Sequence, residues 1–122
     1  MNKSNRQSIR IVTNVSDLFK KEIVQRITRS LLDIQILRLI HTQPMWGYII
    51  KKRIEDRSGI KLRHSALYPL LGSLERENFL TSQKQQHRGR IRKVYALTQK
   101  GRNYTQAYQD IIKEQIDGSD IK

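Results

Sequence analysis

The chain has 122 residues, enough for one domain around a single core. Lys and Arg outnumber Asp and Glu by 24 to 11, a formal charge of +13; such an excess attracts polyanions, making nucleic acid the leading partner and an anionic membrane surface the second. Cysteine is absent, which excludes disulfides, thiolate metal sites and a thiol nucleophile, and no apolar run approaches the ~18 residues of a membrane span.

Residues 1–14 mix polar, basic and β-branched types without a sustained period and read as a flexible basic arm. Charges stand where a signal peptide needs its apolar stretch, so a cytoplasmic protein is expected, associated with the nucleoid if DNA is its partner. Ser16 then offers an N-cap to an amphipathic helix over 15–30, in which Val15, Leu18, Phe19, Ile23 and Ile27 recur at helical spacing. From Leu31 to Ile40 the chain is apolar on most of a helix circumference, broken only by Asp33, Gln35 and Arg38. Such a helix must be covered on several sides and marks the centre of the core. Pro44 ends it.

Another helix carries Trp46, Tyr48, Ile49, Ile50 and Ile54 and stops at Ser58 and Gly59, a C-terminal cap signal. After a short basic connection a third core helix presents Leu67, Leu70, Leu71 and Leu74 and ends near Asn78. Pro69 within it fits a helix whose regular bonding begins only a residue or two earlier. The period then shifts toward two. Phe79 to Gln86 and Ile91 to Leu97 are of strand length, and residues 87–90 supply the glycine of a hairpin turn. Thr98 caps a last helix over 99–117, with Tyr104, Ala107, Tyr108, Ile111, Ile112 and Ile116 at intervals of three and four; residues 118–122 form a tail. The fold class expected is mainly α with a small β-hairpin: a winged helix-turn-helix over 31–98, flanked by N- and C-terminal helices.

Residues 61–100 hold nine Lys or Arg against Glu75 and Glu77, whereas residues 101–122 hold three against four, so the field is expected mainly on the second half of the domain and not on its C-terminal segment. A recognition helix reads DNA with its first turns. That region contains Lys61, Arg63, His64, Ser65 and Tyr68: Arg63 suits a bidentate contact to guanine or a phosphate clamp, and His64 and Ser65 suit phosphate or base edges. In the wing, Arg88, Arg90, Arg92 and Lys93 surround Gly89, placing cations on a thin hairpin that can straddle a phosphate backbone or enter a narrow minor groove. Strand alternation sends Arg90 and Arg92 to one face, Ile91 and Lys93 to the other.

Trp46, Gly47 and Tyr48 read as packing residues, with Gly47 letting the chain bend after Pro44. His41, His64 and His87 lie far apart, so no metal site is expected, and no catalytic constellation or cofactor motif is present. The stripes Leu18, Phe19, Ile23, Ile27 and Tyr104, Tyr108, Ile111, Ile112, Ile116 would leave a large apolar patch on a monomer, which points to a homodimer.

Four segments, in order, resemble the PadR-like transcriptional regulators: Pro44-Met45-Trp46-Gly47-Tyr48, Leu67-Tyr68-Pro69, Leu74-Glu75-Arg76-Glu77, and Gly89-Arg90-Ile91-Arg92-Lys93-Val94-Tyr95 leading to Leu97-Thr98-Gln99-Lys100-Gly101. The resemblance covers residues 31–101. It implies a dimer formed through the flanking helices that binds operator double-stranded DNA, commonly to repress transcription, sometimes released by a small-molecule effector. Trp46 stands where the family commonly has His, Ile49 replaces a frequent acidic residue, Arg63 and His64 replace a typical Ser-Pro, and Ile91 a frequent wing proline. Base preference therefore does not transfer. A nonspecific architectural DNA-binding protein is the other reading that this charge and length suit.

Overall fold

A computed structural model of the chain describes residues 3–117, with side chains from Asn14 onward. The apolar run after Leu31 becomes α2 (Leu32–Ile40), which buries Ile34, Ile36, Leu37, Leu39 and Ile40. It is wrapped by α1 (Lys3–Ser30), α3 (Gly47–Ser58) and α5 (Gln99–Asp117). Ile50 and Ile54 of α3 and Leu67, Leu71 and Leu74 of α4 (His64–Arg76) complete the helical part of the core, which Ile60 and Leu62 extend through the α3–α4 connection.

The remaining core residues, Met45, Leu80, Tyr95 and Leu97, come from a three-stranded antiparallel sheet. Its strands are β1 (Met45–Trp46), β2 (Leu80–His87) and β3 (Arg90–Leu97), in the order β1-β3-β2. Met45 pairs with Tyr95 and Trp46 with Val94, while β2 and β3 pair from Leu80 with Leu97 out to His87 with Arg90. β1 is absent from the sequence expectation because two residues are too few to display a period. The hairpin closes through Arg88 (φ 51) and Gly89 (φ 78). Two left-handed residues give a turn whose twist suits the strands; for Arg88 that conformation is strained.

Three expectations are corrected. The stretch read as a flexible arm belongs to α1, which begins at Lys3. Ser16 therefore lies inside a helix and caps nothing. No Pro or Gly interrupts residues 3–30, and extending a nucleated helix fixes one residue per added bond, so the helix continues past the end of its apolar stripe. Pro69 sits five residues into α4, deeper than expected; its missing N–H falls opposite the carbonyl of exposed Ser65, which water can reach. Residues 118–122, read as a tail, lie outside the described residues.

Local polar contacts fix the joints. Gly59 ends α3 with φ 78 and donates its N–H to the Glu55 carbonyl at 2.8 Å. The Thr98 hydroxyl accepts the Gly101 N–H (3.0 Å) and donates to the Asn78 carbonyl (2.6 Å), capping α5 and tying it to the end of α4. Gly101 lies against the Phe79 carbonyl, where no Cβ fits.

The Glu55 carboxylate accepts the Leu62 N–H at 2.7 Å and pairs with Lys51 at 3.5 Å, holding the chain that enters α4. The hydrogen bond from Leu62, with the charges of Lys51 and Lys61, outweighs desolvation and lowers its pKa. A carboxylate depressed on folding contributes stability above its unfolded pKa, lost as pH falls through the folded one. The melting temperature of Glu55→Gln should therefore lie below wild type at neutral pH, and the gap should close as pH falls from the ordinary Glu range of about 4.3 downward.

Candidate nucleic-acid interface

The strand β1 and the helix α3 follow one another without a connecting loop, and this junction sits between α4 and the hairpin. Around it opens a cleft of about 720 Å³, lined on one side by His64, Tyr68, Gly72 and Glu75 of α4 and on the other by Arg90 to Lys93 and Tyr95 of β3. Trp46, Gly47 and Tyr48 form its end. The first turns of α4 and the outer half of the hairpin therefore face a common space.

On the helix side, His64 and Tyr68 are one turn apart, and their rings stack with centroids 4.7 Å apart and planes 21° apart. Tyr68 lies directly over Gly47: a Cβ there would come within 2.8 Å of Cε1 and 2.9 Å of the hydroxyl. Gly47 thus admits the Tyr68 ring, a closer constraint than the chain bend expected from sequence. Arg63 and Ser65 are exposed on the same first turn. Lys61 is exposed just before it, near enough to Glu55 to affect its pKa.

On the hairpin side the alternation runs as the spacing implies. Arg92 lies with its guanidinium 4.2 Å from the centre of the Trp46 ring, and Trp46 also meets His87, centroids 5.0 Å apart. Lys93, on the opposite face, reaches Glu75 at 3.9 Å. Glu75 also accepts the Ser82 hydroxyl at 2.5 Å, so it links α4 to both strands. Burial, then the nearby Glu75 carboxylate and Tyr68, raise the pKa of Tyr95 above the ordinary tyrosine value. Arg88 and Gly89 form the hairpin tip. Among the described residues, none of Arg63, Arg88, Arg90 and Arg92 is held in a salt bridge. Of the cations expected at the site, Lys93 alone has an acidic partner in such a bridge. The role of Trp46 was missed because its contacts to Arg92 and His87 depend on the pairing of β1 with a strand about fifty residues later.

The two outer stripes lie elsewhere. Leu18 and Phe19 are 57% and 59% exposed on α1, with Val15, Ile23, Val24 and Ile27 also open. On α5, Ile111, Ile112 and Ile116 are exposed, the last at 77%. Tyr104 leans on Phe79, with centroids 4.8 Å apart, and Tyr108 lies beneath Arg38 at 5.8 Å, so these two are partly engaged within the chain. No helix among the described residues is long and apolar enough to cross a membrane, and no group of three or more acidic or His side chains among them could hold a metal.

Three packed helices followed by a basic two-stranded wing define a winged helix-turn-helix protein. A family model described as the transcriptional regulator PadR-like family matches residues 36–107, more than half of the chain. The chain belongs to this family and is a DNA-binding transcription regulator. Solved structures agree. A PadR family transcriptional regulator from Eggerthella lenta DSM 2243 is 26% identical with a TM-score of 0.67, over 86% of this chain and 92% of that one. A protein from Streptococcus mutans UA159 is 33% identical with a TM-score of 0.61, over 72% and 84%. A PadR-like transcription factor from Bacteroides fragilis shares the fold at 24% identity and a TM-score of 0.66, over 88% and 96%. Comparison with curated protein sequences gives no match.

Because the atoms closest to a Cβ at Gly47 belong to the tip of a rotatable ring, Gly47→Ala should displace Tyr68 rather than disrupt the core. Stability should fall by at most about 1 kcal/mol, the scale of one strained rotamer, while the His64 and Tyr68 ring resonances shift as the stack opens. Unchanged ring shifts would show that Gly47 does not set the position of Tyr68.

Proposed function

We propose that the protein is a homodimeric, sequence-specific regulator, acting as a repressor, that inserts the first turns of α4 into the major groove and lays its wing on the backbone or minor groove. The observation that carries this reading is the common cleft: helix residues His64 and Tyr68 and wing residues Arg90 to Lys93 line one space, and the arginines lack internal carboxylate partners among the described residues. Arg63, His64, Ser65 and Tyr68 read bases, while Lys61, Arg88, Arg90, Arg92 and Lys93 supply phosphate contacts and Gly89 keeps the tip thin. The work is binding, without a catalytic step, in the compartment that holds the DNA.

The exposed apolar faces of α1 and α5 support the homodimer. Leu18, Phe19, Ile23 and Ile27 on α1 and Ile111, Ile112 and Ile116 on α5 are exposed apolar side chains that a second copy would cover, with the partly engaged Tyr104 and Tyr108 beside the latter. A two-fold pair presents its recognition helices about 34 Å apart and selects a palindromic site. Repression then follows from occupancy of a promoter, and a small-molecule effector would act by weakening that occupancy.

Selection from a random pool of duplex DNA tests the specificity. The recovered site should be palindromic and bound roughly 10³-fold more tightly than random duplex, with a log-log salt slope of about 0.9 per phosphate contact. Replacing Arg90 and Arg92 by Ala should weaken binding to every sequence and flatten that slope; Arg63→Ala or Tyr68→Ala should change the sequence preferred. Equal affinity for all duplexes would instead favour an architectural, coating role, to which the +13 charge is also suited. Sedimentation tests the assembly: wild type should run as two chains, and Phe19→Asp with Ile112→Asp as one. A monomeric wild type would overturn the two-fold model.

A further inference from the structure

Beyond the core, the outer half of the wing has few supports. Residues 83–91 are all exposed, and the half-buried Arg92 is the first residue of β3 to return toward the body of the fold. Trp46 meets this outer half from outside the hairpin: its ring touches Arg92 of β3 and His87 of β2. Trp46 is itself fixed by pairing with Val94 and by leading directly into α3. One indole thus contacts both strands of the wing.

We infer that Trp46 is a positioning residue for DNA binding: its indole holds the Arg92 guanidinium flat and the wing at a set angle, so that the cation is ordered before DNA arrives. This rests on the reading that the wing meets DNA, and adds how the contact is prepared. Indole is the best aromatic partner for a cation, and 4.2 Å lies well inside the range of effective contact. The Cζ of Arg92 lies over the ring face, and a guanidinium stacked parallel to that face would keep its in-plane N–H groups free to donate to a phosphate. A lysine ammonium cannot stack as a plane, so charge alone does not reproduce the arrangement. Immobilising a long side chain costs binding free energy when it happens on association; Trp46 moves that cost into folding. The next residue, Gly47, gives the recognition helix's Tyr68 its place, so adjacent residues set the two DNA-facing elements relative to each other.

The test is a double-mutant cycle on a 30-base-pair mixed-sequence duplex, read by fluorescence anisotropy at a temperature where every variant is folded. Arg92→Lys keeps the charge on an exposed strand and should fold as wild type, yet lose affinity by about three- to ten-fold, the scale of ordering one flexible side chain. Trp46→Leu should lose a similar factor, Trp46→Phe less than about two-fold since a cation–π face remains, and Trp46→Leu with Arg92→Ala should bind no more weakly than Arg92→Ala alone. Trp46 is the only tryptophan of the chain, so its emission should change in Arg92→Ala without DNA, reporting the stack directly. Additive losses in the cycle, or Arg92→Lys binding as wild type, would overturn the inference while leaving DNA binding by the wing intact. Failure of wild type to bind the duplex would overturn both.

Discussion

The arrangement depends on a single joint, the passage from β1 to α3 at Trp46 and Gly47. Consecutive residues there face different elements: the indole meets the wing, and the bare Cα leaves room for a tyrosine of α4. A strand, even of two residues, fixes Trp46 against β3, and the helix that starts at the next residue fixes Gly47 against α4. The wing and the recognition helix come from distant parts of the chain, yet the distance between them is set over one peptide unit. Glu75 closes the other end of the same space, reaching Ser82 and Lys93.

Charge gives this joint its purpose. The core beneath it, built on α2, is ordinary hydrophobic packing and confers no preference for a partner. The fold brings the start of α4 and the cations of the wing to one cleft, where Glu75 is the acidic group among the described residues that line it. Arginines left without internal partners keep their donors available to an anion. Arg88 at the tip is in a left-handed conformation that costs a non-glycine residue some strain, and on the reading proposed above it presents a cation there. The flanking helices carry a different surface, apolar and open, the one that the proposed dimer would bury.

Much of this was legible in the sequence, for identifiable reasons. The helix α2 announced itself by being apolar around most of its circumference, the cap at Gly59 by a glycine after the last periodic residue, and the wing by two strand-length segments about a glycine. Thr98 was legible as a cap because its hydroxyl acts locally, on Gly101. What the sequence hid was either too short or too distant. β1 has two residues and no period of its own. Trp46 read as packing because its partners, Arg92 and His87, come close only when strands far apart in the chain pair. The start of α1 was hidden because a helix without breakers extends beyond the stripe that reveals it, and the depth of Pro69 because solvent at Ser65 tolerates a lost hydrogen bond that a buried helix would not.

On the proposed reading, α4 and the wing engage one duplex together, held at a fixed separation by that joint. Titrating the labelled protein with duplex DNA and following its backbone amide resonances tests this most directly. Amides at residues 61–68 and at residues 87–93 should shift along a single binding curve with one dissociation constant, while those of the buried α2 stay in place. Two separate curves, or shifts in only one of the two segments, would show that helix and wing do not bind the duplex as one surface.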